Sequence, residues 1–329
     1  MAKKKKKLGK SLPEHFLERL TDIVGPSLFP EVKRTFAARP TTFRINSLKT
    51  QKQENTKTHL IEKGFKLKSV PWCKDAFILE NKSKRELTET DVYKDGRIYI
   101  QSLASMIPPL VLDPQPGEKV LDLTAAPGSK TSQIAALMNK RGELVANDVN
   151  KVRFERLKAN MEMLGVMSET SDWQFTLRLS DGSALCQEYG APYFDKILVD
   201  AICSAEARFV DGDPKTYGYW SPHKIKQMAY RQQKLLMAAW TVLKPDGVLV
   251  YSTCTMAPEE NESRISKMLE RHPDAEVMGI HLPDLKRLLP VKEWNGRVFH
   301  SDVKECLRIM PTKEIEGFFV AKFHKKRSA

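Results

Sequence analysis

The chain has 329 residues, 41% of them apolar, which is enough for a sizeable core and for two domains or one large α/β domain. Its formal net charge of +13 is lopsided: residues 1–97 carry 23 Lys/Arg against 12 Asp/Glu, and the remaining residues add only a small excess. No apolar run approaches a membrane span and no signal-peptide core follows the N-terminal lysines, so membrane and secreted classes are excluded and a cytoplasmic protein is expected.

Lys3 to Lys7 mark residues 1–10 as a basic tail, expected to be disordered. Leu12–Val24 and Phe29–Ala38 have helical periodicity, with Pro26, Pro30 and Pro40 as breaks. "TTFRINSL" alternates as a strand, "HLIEKGF" reads as a helix ending on Gly64, and residues 66–81 read as short strands. Residues 11–97 are therefore expected to form a small basic α+β module. Its charge points to a polyanion such as RNA, with Arg39 and Arg44 as expected contacts, and a solvated face is the alternative.

From about Tyr99 strands and helices alternate at the spacing of a parallel α/β sheet, so residues 98–329 are expected to be a second domain. "KVLDLTA", "GELVANDV", "FTLRLSDG", "DKILVDA" and "GVLVYSTC" are its strands, and a long helix is expected from about His223 to Leu243. "CLRIMP" and "GFFVAKFHK" read as an antiparallel hairpin at one sheet edge.

The first strand runs into "DLTAAPGSK", Asp122 to Lys130, which opens a helix at the carboxyl edge of the sheet, where open α/β sheets bind ligands. A Walker A loop would need glycine at Thr124 and Ser129, and a dinucleotide fingerprint needs three glycines where only Gly128 stands, so neither fits. Asp148, at the end of the second strand, is placed to take ribose hydroxyls, which fits a nucleoside without phosphates such as S-adenosyl-L-methionine. Asp181, after the third strand, would sit beside the adenine. Any one of these acids alone is more often a helix cap or turn former. Candidate cofactor contacts are Ala125, Ala126, Pro127, Gly128, Ser129, Lys130 and Thr131, with Asp148, Arg153, Asp181 and Asp200.

Five cysteines, Cys73, Cys186, Cys203, Cys254 and Cys306, lack C-x-x-C spacing, so free thiols and no metal site are expected. Cys203 and Cys254 follow the fourth and fifth strands, which are neighbours in the usual methyltransferase order. Two thiols at one cofactor edge fit methylation of a pyrimidine at carbon 5. That carbon is too electron-poor to attack a sulfonium methyl until a thiolate has added to carbon 6, and a carboxylate near N3, Asp200, favours the addition. A second group must then assist release.

"VLDPQPGEKVLDLTAAPGSKTSQIA", "ILVDAICSAE", "GVLVYSTCTMAPEENE" and "RIMPTKEIEGFFVAKF", preceded by "RPTTFRINSLKT", resemble the successive motifs of the Sun-family RNA (cytosine-5) methyltransferases. The resemblance implies a Rossmann-like class I methyltransferase fold, a doubly wound sheet with an antiparallel edge hairpin. It also implies S-adenosyl-L-methionine as cofactor and rRNA or tRNA as substrate. It puts the nucleophile at Cys254 and product release at Cys203, and a monomer is expected. The chain has Ile202 where that family has proline and Ala205 where it has glycine. A small-molecule methyltransferase is one alternative, and an inactive RNA-binding or ribosome-assembly factor on the same fold is another.

Overall fold

The computed structural model describes residues 11–50, 52–168 and 170–327, so the N-terminal lysine tail lies outside the described residues. Two short helices, α1 (Glu14–Val24) and α2 (Phe29–Lys33), open the chain. The second is shorter than its periodicity predicts. The Thr35 hydroxyl and backbone N–H both turn back onto the Val32 carbonyl, at 2.7 and 3.0 Å, which tightens and ends the helix.

A small unit follows: β1 (Thr42–Ile45), α3 (Gln53–Glu62), β2 (Leu67–Val70), β3 (Cys73–Leu79), α4 (Lys84–Thr88), α5 (Asp91–Lys94) and β4 (Ile98–Ile100). Its strands form an antiparallel sheet in the order β2-β3-β1-β4. Because β4 pairs with β1, a division between residues 97 and 98 would cut this sheet, and the chain leaves it only after Ile100. Helices α1 and α2 do not share this unit's core. Phe16, Leu20, Val32 and Phe36 pack instead with Phe209, Tyr217 and Met256.

The large unit comprises α6 (Leu103–Leu112), β5 (Lys119–Asp122), α7 (Ser129–Leu137), β6 (Gly142–Asn147), α8 (Lys151–Met163), β7 (Trp173–Arg178), α9 (Gly182–Tyr189) and β8 (Phe194–Asp200). It continues through α10 (Pro222–Val242), β9 (Leu243–Thr253), α11 (Glu262–Arg271), β10 (Ala275–Met278) and β11 (Arg287–Leu288). A small hairpin, β12 (Glu293–Trp294) and β13 (Arg297–Val298), precedes β14 (Leu307–Ile309) and β15 (Phe318–Lys325). The sheet order is β11-β14-β15-β9-β8-β5-β6-β7, with β10 paired to β15. Strands β5 to β9 are parallel, and β14 and β15 form the expected antiparallel hairpin, so the doubly wound methyltransferase topology holds. Apolar cores cover both faces of the sheet.

Helix α6 escapes a reading of the sequence because Pro108 and Pro109, ordinarily helix breakers, lie inside it. Nine of its ten residues are buried, and it packs against α7 and the central strands, so tertiary burial overrides the local preference.

Arg44 is not an RNA contact. Only 3% exposed, it donates to Gln101 Oε1 at 3.0 Å and to the Ser132 hydroxyl, with its guanidinium over the Tyr99 ring, and burial lowers its pKa to about 10. It ties β1 of the small unit to α7 of the large one. Arg39 is half-buried and donates to the Thr35 carbonyl at 3.0 Å, bracing its own turn. Arg44→Ala should therefore destabilise the fold by about 1.5–3 kcal/mol, the range for a lost charged hydrogen-bond set. Urea unfolding should register the loss, while the RNA affinity of the folded fraction stays at the wild-type value.

Candidate active site

The carboxyl edge of the parallel strands opens into a cleft of about 990 Å³, at the top of the range of ~300–1,000 Å³ typical of ligand sites. Its floor is the loop between β5 and α7. Gly128 turns that loop at φ 102°, where a side chain is strained, and a Cβ there would stand 2.6 Å from Met161 Cε and 2.9 Å from Leu157 Cδ1. Glycine is thus favoured by the backbone conformation, while the α8 atoms that approach it are the mobile ends of Met161 and Leu157.

The cleft walls hold Ala125, Ala126, Pro127, Ser129 and Lys130, together with Asp148, Arg153, Asp181 and Asp200. Gly128 and Thr131 do not line it. Thr131 acts from beneath, its hydroxyl donating to Asp122 Oδ2 at 2.7 Å. Asp148 is 2% exposed and accepts from the Ala126 N–H at 3.2 Å and the Asn150 N–H at 2.9 Å, so it fixes the loop as well as facing the cleft. Arg153 lies 3.3 Å from the same carboxylate. Asp181 caps α9, its Oδ1 accepting from Ser183 and Ala184 N–H groups at 3.0 and 3.2 Å.

Lys130 is no solvated neighbour. It is 5% exposed, with Nζ 2.7 Å from Asp200 Oδ2 and donating to the Ser105 hydroxyl at 2.7 Å. Asp200 Oδ1 accepts from the Ser252 hydroxyl at 2.7 Å. The cofactor loop, the end of β8 and the end of β9 are thereby joined by one short polar chain.

Cys203 and Cys254 meet in the cleft with their sulfurs 3.2 Å apart, and both are free thiols. The two thiols share one S–H···S contact in which either sulfur can be the donor, and the Arg208 guanidinium attracts negative charge on both. With Cys203 as donor, the bond received from it and the Arg208 attraction outweigh burial and lower the Cys254 pKa to about 7, whereas the same bond together with burial raises that of Cys203 well above the ordinary thiol range. Of the two, Cys254 is the one poised as thiolate. The other cysteines, Cys73, Cys186 and Cys306, are buried away from the cleft, and burial pushes each of their pKa values up.

The two thiol loops are clasped reciprocally. From the β8 side, Glu206 accepts from the Thr255 hydroxyl at 3.0 Å and the Met256 N–H at 3.2 Å. From the β9 side, Glu260 accepts from the Ser204 N–H at 3.1 Å and from Gln232 Nε2 at 2.7 Å. Thr253 donates to Asn261 Oδ1 at 2.6 Å and Thr255 to Glu206, so the hydroxyls of the threonines flanking Cys254 bond to side chains of the two loops. Arg308 pairs with Glu262 through two bonds of 2.9 and 2.7 Å and donates to the Met256 carbonyl at 2.9 Å.

Of the two departures from the family motif, Ala205 carries a backbone cost and Ile202 has a local compensation. Ala205 has φ 56°, a left-handed conformation that glycine adopts without cost. Where a proline would stiffen the chain at Ile202, Gln232 Nε2 donates to the Ile202 carbonyl at 2.9 Å and holds that backbone instead.

Three cleft residues of consequence escape a motif reading. Arg208 follows the thiol motif by position only, and Ser105 rides on the unexpected helix α6. Asp122 reads as an ordinary strand residue, yet its Oδ1 is buried without a hydrogen-bond partner, and burial raises its pKa to about 7. An unsatisfied carboxylate oxygen at the cleft floor fits a ligand carrying an ammonium group, as the amino-acid end of S-adenosyl-L-methionine does. Val149, two-thirds exposed in the cleft beside Asp148, offers an apolar face for a base.

Residues 109–324 match the family model described as 16S rRNA methyltransferase RsmB/F, and residues 12–103 match that of the N-terminal domain of 16S rRNA methyltransferase RsmF. The chain is 38% identical over 293 residues to the tRNA (cytosine(49)-C(5))-methyltransferase of Pyrococcus abyssi, covering 87% of this chain and 88% of that protein. It is 36% identical over 326 residues to ribosomal RNA small subunit methyltransferase F of Pectobacterium carotovorum, covering 97% of this chain and 63% of that protein. It thus spans less than two thirds of the latter's length. The solved structure of a methyltransferase homolog protein from Pyrococcus horikoshii superposes with a TM-score of 0.81 at 33% identity, covering 96% of both chains. With its class I sheet and its paired thiols at the cofactor edge, the chain belongs to the RsmB/F family of S-adenosyl-L-methionine-dependent methyltransferases.

Proposed function

We propose that this protein methylates carbon 5 of a cytosine in RNA, with Cys254 as the nucleophile. The observation that carries the reading is the pair of cleft sulfurs 3.2 Å apart, of which Cys254 is the more acidic. The named relatives, one acting on tRNA and one on small-subunit rRNA, support RNA as the substrate. No helix among the described residues is long and apolar enough to cross a membrane.

The loop from Ala125 to Ser129, with Asp122, Asp148 and Asp181, would hold S-adenosyl-L-methionine, which supplies an electrophilic methyl group when bound. The Cys254 thiolate adds to carbon 6 of the cytosine, forming a C–S bond and placing the displaced electron pair where carbon 5 can attack. The Lys130–Asp200 pair, 2.7 Å apart, offers a donor and an acceptor together to the N3 and exocyclic amine edge of the base. After transfer a base removes the carbon 5 proton, the C–S bond breaks, and Cys254 leaves as thiolate. Cys203, its sulfur 3.2 Å away, would favour that departure by donating its S–H to the sulfur on which charge reappears. The buried base site requires an unpaired or flipped-out cytosine.

Cys254→Ala should give no methylation and no covalent adduct with 5-fluorocytosine RNA, read by denaturing gel. Cys203→Ala should form the adduct and accumulate it on ordinary RNA, because attack survives and release is impaired. Reversal of these two results would make Cys203 the nucleophile.

The fraction of Cys254 as thiolate should rise through about pH 7, since a lowered pKa means the charged form exists above that value. The alkylation rate of Cys254 by iodoacetamide, followed by mass spectrometry, should show that midpoint. In Cys203→Ala the midpoint should move up, because the donor that stabilises the thiolate is gone. Bisulfite mapping of RNA from cells with and without the gene should show one or more cytosines losing their 5-methyl mark. The RNA class that loses it, transfer or ribosomal, identifies the substrate.

A further inference from the structure

The cleft has one wall that neither the cofactor loop nor the thiols explain. Helix α10 spans 21 residues with four cations, Lys224, Lys226, Arg231 and Lys234, and no carboxylate. Gln227, Tyr230, Arg231 and Lys234 recur at helical spacing, so they share one face, and all four line the cleft. Tyr230 is 66% exposed, with Lys234 Nζ 5.8 Å from its ring centroid. Arg208 faces the same space from beside the thiols. Among the described residues, none of Arg208, Arg231 and Lys234 has a carboxylate at ion-pairing distance. By contrast, several small-unit cations are paired, as in Lys63–Asp91, Arg97–Asp91 and Arg85–Glu89.

Unneutralised cations persist at a surface when their partner comes from outside, and a two-thirds-exposed aromatic ring beside them offers a stacking face. A single-stranded nucleic acid has both complements: phosphates for the cations, and bases whose faces stack on tyrosine whatever their sequence. A protein partner would need apolar anchors on this face, and the stripe has only Tyr230. Because the stripe is continuous with the thiol cleft, a strand lying along it can deliver a base to Cys254.

We propose that the α10 stripe is the track for the RNA strand immediately flanking the target cytosine. Arg231 and Lys234 contact phosphates, Tyr230 stacks on a neighbouring base, and Arg208 steers the strand at the thiol end. This rests on the RNA-methylating reading above, and it places strand recognition at the catalytic cleft in addition to the basic N-terminal segment. The preferred substrate is then a single-stranded or locally unwound segment, since a paired base cannot stack on Tyr230.

The test uses the full chain and a 20-nucleotide, cytosine-containing, fluorescently labelled single-stranded RNA, with binding measured across a salt series. S-adenosyl-L-methionine affinity is measured in parallel by calorimetry. Arg231→Ala/Lys234→Ala should reduce the magnitude of the log K against log salt slope by about 1.4, at ~0.7 per phosphate contact on a single strand. Tyr230→Ala should weaken RNA binding roughly ten-fold or more, Tyr230→Phe should restore it, and none of these changes should alter cofactor affinity. An unchanged RNA affinity and salt slope overturns the track while leaving the function standing, because the wild-type protein still binds and methylates RNA. A loss of cofactor affinity with RNA binding intact also overturns it, by making the stripe a wall of the cofactor site. If the wild-type chain binds no RNA and gives no 5-fluorocytosine adduct, both the function and the track fall.

Discussion

The chemistry of this protein depends on a reciprocal clasp between two loops that are 51 residues apart in the chain. Glu206, beside Cys203, holds the hydroxyl and backbone of the Cys254 loop, and Glu260, beyond Cys254, holds the backbone of the Cys203 loop. Both carboxylates are buried, and burial raises both pKa values, that of Glu260 to about 8. Carboxyl groups are costly to bury unless their hydrogen bonds are satisfied. Here each accepts from the opposite loop, with Trp220 completing Glu206 and Gln232 completing Glu260, so bringing the loops together offsets part of that cost. The 3.2 Å approach of the sulfurs, and with it the lowered Cys254 pKa, is a consequence of that closure.

The same logic links the helix that follows the β5–α7 loop to the end of β8. Lys130 starts helix α7, yet its amine reaches across the cleft edge to Asp200 at the end of β8, and Ser105 from α6 supports it. Ser132, two residues further along the helix, accepts from Arg44 of the small unit. One helix therefore carries a contact to the catalytic strand end and a contact to the N-terminal sheet. A substitution in the small unit can disturb the cofactor floor without touching any ligand.

Charge counting gives a partial account of where RNA meets the protein. The excess of cations lies in the N-terminal third, but the arginine of the "TTFRINSL" strand is consumed by internal bonds, as its burial shows. Helix α10 carries four cations and no carboxylate, an excess that acids elsewhere in residues 98–329 largely cancel in the total, and among the described residues its Arg231 and Lys234 have no carboxylate at ion-pairing distance. What matters for a polyanion is unneutralised charge on an accessible face, and formal totals do not record it.

The strand ends, the place of the β5–α7 loop at the cleft and the positions of both thiols were legible in the sequence, because each depends on local periodicity and on motifs a few residues long. That the fourth and fifth strands are neighbours came from the usual methyltransferase order, and the alternation of strands and helices gave only the parallel class of the sheet. Helix α6 was not legible, because Pro108 and Pro109 argue against it locally and only burial on nearly every side sustains it. The internal role of Arg44, the Lys130–Asp200 pair, the unsatisfied Asp122 oxygen and the cationic stripe beside the cleft were likewise decided by tertiary structure. The sequence named the two cysteines. Which one carries the charge depends on which sulfur receives a hydrogen bond from the other and lies near Arg208, and that is set by the packing of loops far apart in the chain.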